Sequence, residues 1–312
     1  MCGIVGYLDK SGNDRTAVGQ TVFRMLQALG QRGPDSSGVA IFGPPLNGDL
    51  VLRVKLGDAS RRSSFPQGPQ DFEQNGKRVA ESVQSLGSVG EASTTSEYLR
   101  LVMNYSGDPR ELEHQIESSA EDIEVVSMGR SLEIVKQVGS PEKLDETYGV
   151  SAFTGSHGIG HTRLCTESII DLSHSQPFWS HGYPDLATVH NGHITNYHKL
   201  RRQYQQRGAK FYTENDSEII PMFLAEKLSA GMGLEEALKA SLEEFDGSFS
   251  YFVATPEAMG FVREPFALKP LLMAETDEFV VLANEEVAIR AGCEGDYEVR
   301  EVQAGEVRLW QR

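Results

Sequence analysis

The feature that most constrains this chain is how it begins: Met1-Cys2-Gly3-Ile4-Val5-Gly6-Tyr7-Leu8. Ile4 to Leu8 is a short apolar run of the kind that forms a buried strand. A terminus that opens into a buried strand is held rigidly, whereas most chain ends fray. Cysteine is small enough for Met1 to be removed in front of it, which leaves a thiol and an α-amine on one residue. The ordinary pKa values, ~7.7–8.0 for the amine and ~8.5 for the thiol, let the amine accept and return the thiol proton near neutrality. Nucleophile and base are then joined in one residue. A buried cysteine starting an ordinary strand would be spelled the same way, so Cys2 alone leaves both readings open.

Composition removes several function classes. The net charge is −16, from 29 basic and 45 acidic residues, with no long basic stripe. Phosphate contacts need clustered Lys and Arg, so nucleic-acid binding is disfavoured. No apolar stretch approaches the ~18–20 residues of a membrane span. Nor does a charged segment followed by an apolar core suggest a signal peptide. Cys2, Cys165 and Cys293 make neither a disulfide framework nor a zinc motif, and a reducing cytoplasm is the expected compartment.

Along the chain, Thr16 to Leu29 carries a helical apolar period that ends at Gly30. Gln31-Arg32-Gly33-Pro34-Asp35 follows as a polar turn, then short strands at Val39–Phe42 and Leu50–Val54. Residues 58 to about 96 change texture, with a loop signal and a weaker helix over Phe72–Leu86. Beyond it, Tyr98–Tyr105, Glu124–Met128 and Leu132–Lys136 read as strands. Asp108-Pro109 and Ser140-Pro141 read as helix starts. In the second half, Leu186–Val189 is a strand running into His190-Asn191-Gly192, and Ser217–Leu228 and Leu234–Phe245 are amphipathic helices. Strand signals then follow at 248–254, 259–263, 271–274, 278–283 and 306–310. This order suggests layered packing rather than alternating βαβ units.

Four stretches occur in a telling order: Met1-Cys2-Gly3-Ile4, Gln31-Arg32-Gly33-Pro34-Asp35, Gly160-His161-Thr162-Arg163 and Val189-His190-Asn191-Gly192. Together they resemble class II glutamine amidotransferases, which are N-terminal-nucleophile hydrolases. Asn215-Asp216-Ser217-Glu218, Asp246-Gly247-Ser248-Phe249 and the run Arg263 to Leu271 are similar to the family's later motifs. The resemblance covers residues 1–52 and 151–312 and leaves the middle unmatched. It implies a thioester on Cys2, with Asn191 and Gly192 as the oxyanion hole. It implies that Arg163 holds the α-carboxylate of L-glutamine and Asp216 its α-ammonium, that Thr166 assists at the carboxylate, and that Arg32 orders the terminus. Leu164, Cys165, Gln31 and Gln176 depart from the residues common at those positions, but none removes a catalytic group. His157/His161 and His190/His193 invite a metal, but glycine-rich spacers and no carboxylate at ligand spacing argue against one.

The implied fold is α+β, a four-layer α/β/β/α sandwich over residues 1–312, with an α+β insertion at 55–150. The implied function is a glutaminase subunit that delivers ammonia to a separate synthase subunit, as in split glutamate-synthase-like or N-methylglutamate-synthase complexes. No cofactor is expected in this chain; flavin or iron–sulfur centres would belong to partner subunits. The alternative is a catalytically silent subunit that binds glutamine through Arg163 and Asp216 and reports nitrogen status. Retention of Met1 would favour that alternative.

Overall fold

The computed structural model describes residues 2–46, 48–60, 67–165 and 169–312. The apolar run behind Cys2 forms β1 (Gly3–Asp9), and the helical period forms α1 (Val18–Ala28). Then come β2 (Ser36–Phe42), β3 (Asp49–Lys55), α2 (Pro69–Ser82), β4 (Ser88–Thr95), β5 (Tyr98–Asn104) and α3 (Pro109–Glu117). They are followed by β6 (Glu124–Gly129), β7 (Leu132–Val138), α4 (Pro141–Tyr148) and β8 (His157–Arg163). The second half holds β9 (Phe178–Ser180), β10 (Tyr183–Ile194), α5 (Tyr197–Gln206), α6 (Ile219–Ser229), α7 (Leu234–Glu244) and β11 (Gly247–Thr255). It closes with β12 (Ala258–Arg263), β13 (Leu272–Glu275), β14 (Phe279–Ala283), α8 (Glu286–Gly292), β15 (Arg300–Glu301) and β16 (Val307–Gln311). The expected caps are in place. The Asp108 and Ser140 side chains accept from the Arg110 and Lys143 N–H groups, each ahead of a proline in the first turn.

The strands make an antiparallel sheet of order β15-β13-β14-β1-β8-β2-β7 and a second of order β16-β12-β11-β10-β9. Period-two alternation splits each sheet into faces. Val5, Val39, Ile41, Val135 and Val281 pack against α1, α4 and α8. Leu186, Phe249, Tyr251 and Val262 pack against α5, α6 and α7. Ile4, Leu8, Phe42 and Ile159 meet Val189, Phe252 and Phe261 between the sheets. The order helix, sheet, sheet, helix is the expected four-layer sandwich.

The stretch between differs in its bounds from the expected 55–150. A third sheet, β4-β5-β3-β6, starts at Asp49 and ends at Gly129. Leu132–Val138 instead pairs with β2 as the edge of the first sheet, and α4 packs on that sheet's outer face. Only Arg130 and Ser131 lie between the two sheets, so no linker signal marks the crossing. Asp185 of β10 fixes it, accepting the Arg130, Ser131 and Leu132 N–H groups at 2.8, 3.1 and 3.0 Å. The third sheet shares its core with the inter-sheet layer. It is also tied to the second sheet through Trp179, whose indole N–H donates to the Val125 carbonyl at 2.9 Å.

Candidate active site

Cys2 directly precedes β1, and the alternation of that strand puts it on the face of Ile4 and Leu8, toward the inter-sheet core. Three groups hold this end of the strand. The Arg32 Nε donates to the Cys2 carbonyl at 3.3 Å, and its guanidinium is ion-paired with Glu285. The Ile4 N–H donates to Asn284 Oδ1 at 2.5 Å, and Asn284 Nδ2 donates to the Pro270 carbonyl at 2.8 Å. Arg32 thus touches the residue whose ordering the family resemblance assigns to it. Asn284 and Glu285 were not foreseen; their one sequence signal is a polar pair directly behind the apolar strand β14. The Cys2 thiol contacts the Leu164 carbonyl at 3.7 Å. Burial pushes its pKa up, while the Leu164 backbone and the Arg163 charge act in the opposite direction.

Arg163 ends β8. Its Nη1 donates to the Ile169 carbonyl at 3.2 Å, and its own carbonyl accepts from the Asp35 N–H at 3.0 Å. The Asp35 carboxylate in turn accepts from the Cys165 N–H at 2.7 Å. The turn foreseen at 31–35 thus braces both Cys2 and the segment after Arg163. Thr166 lies outside the described residues.

Asn191 and Gly192 lie on β10, in register with Ser250 and Phe249 of β11. Gly192 has φ +144, and a Cβ there would stand 2.1 Å from the Ser248 carbonyl oxygen, so only glycine fits. The Asn191 amide is buried, and its Nδ2 has no hydrogen-bond partner among the described residues. Gln176, noted from sequence only as a departure, clamps the preceding residue from both sides. It accepts from the His190 N–H at 2.7 Å and donates to the His190 carbonyl at 3.1 Å. Its amide also donates to Ser217 Oγ at 3.1 Å, and Ser217 lies 2.8 Å from His190 Nδ1.

Asp216 accepts from the Ile194 N–H at 2.7 Å, two residues beyond Gly192. It borders a cavity of about 420 Å³ together with Ile169, His174, His193, Ile194, Tyr197 and Glu214. Ile169 links the two expected substrate contacts: its carbonyl takes the Arg163 guanidinium and it shares the cavity with Asp216. Cys2 and Asn191 are not in that cavity's lining; they lie at the end of the inter-sheet layer. Among the described residues, Glu113, Glu117 and His181 have ligand atoms within 4.8 Å of one another. They are occupied by one another and by Tyr212 and Lys210, binding α3 to the β9–β10 turn.

Two antiparallel sheets between helices, with the chain's first residues on a central strand, define the N-terminal-nucleophile hydrolase fold of class II amidotransferases. The chain superposes on glutamine phosphoribosylpyrophosphate amidotransferase from B. subtilis, solved with ADP and GMP, with a TM-score of 0.60 at 20% identity. That likeness covers 99% of this chain and 47% of that one, so the chain spans about half the length of the solved protein. Residues 161–291 match the family model described as a glutamine amidotransferase domain. A putative glutamine amidotransferase of Methanothermobacter thermautotrophicus is 37% identical over 100% of both chains. The glutamine amidotransferase-like protein GlxB of Rhizobium meliloti is 33% identical over 91% of this chain and 89% of its own. The chain belongs to the glutamine amidotransferase family.

Proposed function

We propose that the chain hydrolyses L-glutamine to L-glutamate through a thioester on Cys2 and passes the ammonia to a separate synthase subunit. The observation that carries this reading is the unpartnered Asn191 amide beside a strand position that only glycine fits, at the end of the layer that also receives Cys2. A preorganised donor aimed where charge develops is what an oxyanion needs, worth about 2.7–4 kcal/mol to the transition state. Gly192 lets the backbone come close to the reacting carbonyl. Because burial raises the Cys2 pKa, the thiol needs a base; the α-amine exposed by loss of Met1 supplies one. Arg163 and Asp216, bridged by Ile169, take the α-carboxylate and α-ammonium, a pair that separates amino acids from simple amides.

The test is glutamate release by the purified chain, with N-terminal mass spectrometry to establish that Cys2 is first. Cys2→Ala abolishes turnover and leaves the melting temperature in place. Arg163→Ala and Asp216→Ala chiefly raise KM, because they hold charges present in the ground state. Turnover that survives Cys2→Ala would end the proposal.

A further inference from the structure

The inter-sheet layer carries polar groups at both ends, and at the end that receives Cys2 several of them are unpaired. His161 is wholly buried, and neither ring nitrogen has a hydrogen-bond partner among the described residues. The same holds for Ser248 Oγ and Ser250 Oγ, beside the Asn191 amide. Register puts them on the facing sides of one layer. Ser250 is paired with Asn191, and Ser248 shares the face of Ser250 and of the inter-sheet residue Phe252. His161 is paired with Ile4 and shares the face of Ile159, which also points between the sheets. Besides burial and the Arg163 charge, the His190 backbone acts on the imidazole as a weak hydrogen-bond partner too poorly placed to satisfy either nitrogen, which sets the ring against β10. Folded proteins leave few buried polar groups unpaired, and each one calls for an explanation.

We infer that His161, Ser248 and Ser250 form a binding site for a small neutral molecule that both donates and accepts hydrogen bonds: ammonia as it leaves, then the water that replaces it. This rests on the glutaminase reading. In the first half-reaction Sγ bonds to the amide carbon, the C–N bond breaks, and the thiol proton travels through the α-amine to the leaving nitrogen. In the second, the water oxygen bonds to the thioester carbon, its proton goes to the amine, the C–S bond breaks, and the proton returns to sulfur. The second step retraces the first, so nitrogen and oxygen use the same position in turn. Hydroxyls and a neutral imidazole suit both, because each can donate or accept. Burial, with the Arg163 charge beside it, lowers the His161 pKa to about 3. The ring is therefore neutral and does not convert ammonia to ammonium, which has no lone pair for a later acceptor.

His161→Leu and Ser250→Ala separate this from a structural role, with His161→Gln as the conservative control. Single-turnover formation of the Cys2 thioester reads ammonia departure; its decay, followed by intact mass and by capture with hydroxylamine, reads water. Both apolar variants lower one of these rates at least about tenfold with KM little changed, as expected for a misplaced reactant. His161→Gln recovers part of the loss. Ser250→Ala keeps or raises the melting temperature, since it deletes an unpaired buried hydroxyl. Unchanged rates in Ser250→Ala, or a lowered melting temperature with normal turnover, would overturn the assignment. A wild-type chain that never forms the thioester would overturn the glutaminase reading and this one with it.

Discussion

His157 and His161 lie on the same strand, face the same inter-sheet layer and are both wholly buried. Their surroundings could hardly differ more. His157 has both ring nitrogens engaged, Nδ1 with Ser156 Oγ and Nε2 with the Thr255 carbonyl, each at 2.8 Å, and it stacks on Phe42 with centroids 4.5 Å apart. Among the described residues His161 has no well-formed partner for either nitrogen, and the His190 backbone acts on it only weakly. The closed end of the layer is built for packing: its polar groups are paired and its neighbours are Leu8, Phe42 and Phe252. The open end, with Cys2, Asn191, Ser248 and Ser250, keeps donors and acceptors in reserve. Burial alone does not separate structural from functional histidines; partnering does. At ~3.3 Å per strand residue the two rings start about 13 Å apart, so one metal could not bridge them.

The comparison can be broken most sharply at the open end. Asn191→Ala should lower kcat by about 10²–10³ with little change in KM, because the amide acts on the transition state. Its melting temperature should hardly move, as the Nδ2 it removes is unpartnered. A change falling mainly on KM, or a marked loss of stability, would merge the two ends into one kind of environment.

At the closed end the effect should be reversed. His157→Ala strands the Thr255 carbonyl and Ser156 hydroxyl and opens space beside Phe42. Loss of about 1–3 kcal/mol in stability is expected for the unmet partners, with kcat retained. Denaturant unfolding alongside glutamate release checks both halves. Unaltered stability would mean that the paired nitrogens do not anchor this end.

The smallest effect should appear in the pH dependence of stability. Burial lowers the pKa of His157 to about 4 and of His161 to about 3, and it lowers His190 as well. The unfolded chain takes up these protons below about pH 6.5, the folded chain only at far lower pH. Stability from these groups is therefore complete above about pH 6.5 and falls as pH drops toward 4 and 3, by about 1.4 kcal/mol per pH unit per proton. His181 works the other way: burial disfavours its charge, but Glu113 outweighs that and raises its pKa. Its contribution is present at low pH and lost as pH rises through the raised value, so it softens the slope. Melting curves from pH 7 to 5 should show a net fall, shallower in His157→Gln. A flat profile would count against the neutral, buried state of these rings.

Much of the site was legible because its residues sit in short local motifs whose chemistry is carried by type and spacing. Cys2, Arg163, Asn191 and Gly192 stand at or near strand ends, Arg32 in the turn read at 31–35, and Asp216 in a short helical turn bonded to β10. The supporting residues were not legible in the same way. Gln176 looked like a departure, yet it clamps His190 on both backbone groups; that role depends on a neighbour fourteen positions away in the chain. Asn284 meets Ile4 from the far end of the sequence. The third sheet was also hard to read from sequence. β4 is a mostly exposed edge strand with few apolar residues, so period-two alternation could not reveal it. The α5 helix is so charged that its buried Leu200 and Tyr204 stand out only once packed.

By itself, then, the sequence singled out Cys2, the Asn191-Gly192 pair, and Arg163 with Asp216 as the candidates of the proposed site, and the alternation that builds two sheets, since these depend on residue type and local period. Only the tertiary structure decided where the third sheet ends, which histidine is paired and which is open, and that Ile169 joins Arg163 to Asp216. Those are properties of strand register and of contacts between distant segments. Register decides which side chains share a face, and a hydrogen bond exists only when its partner, however far along the chain, arrives in the same place.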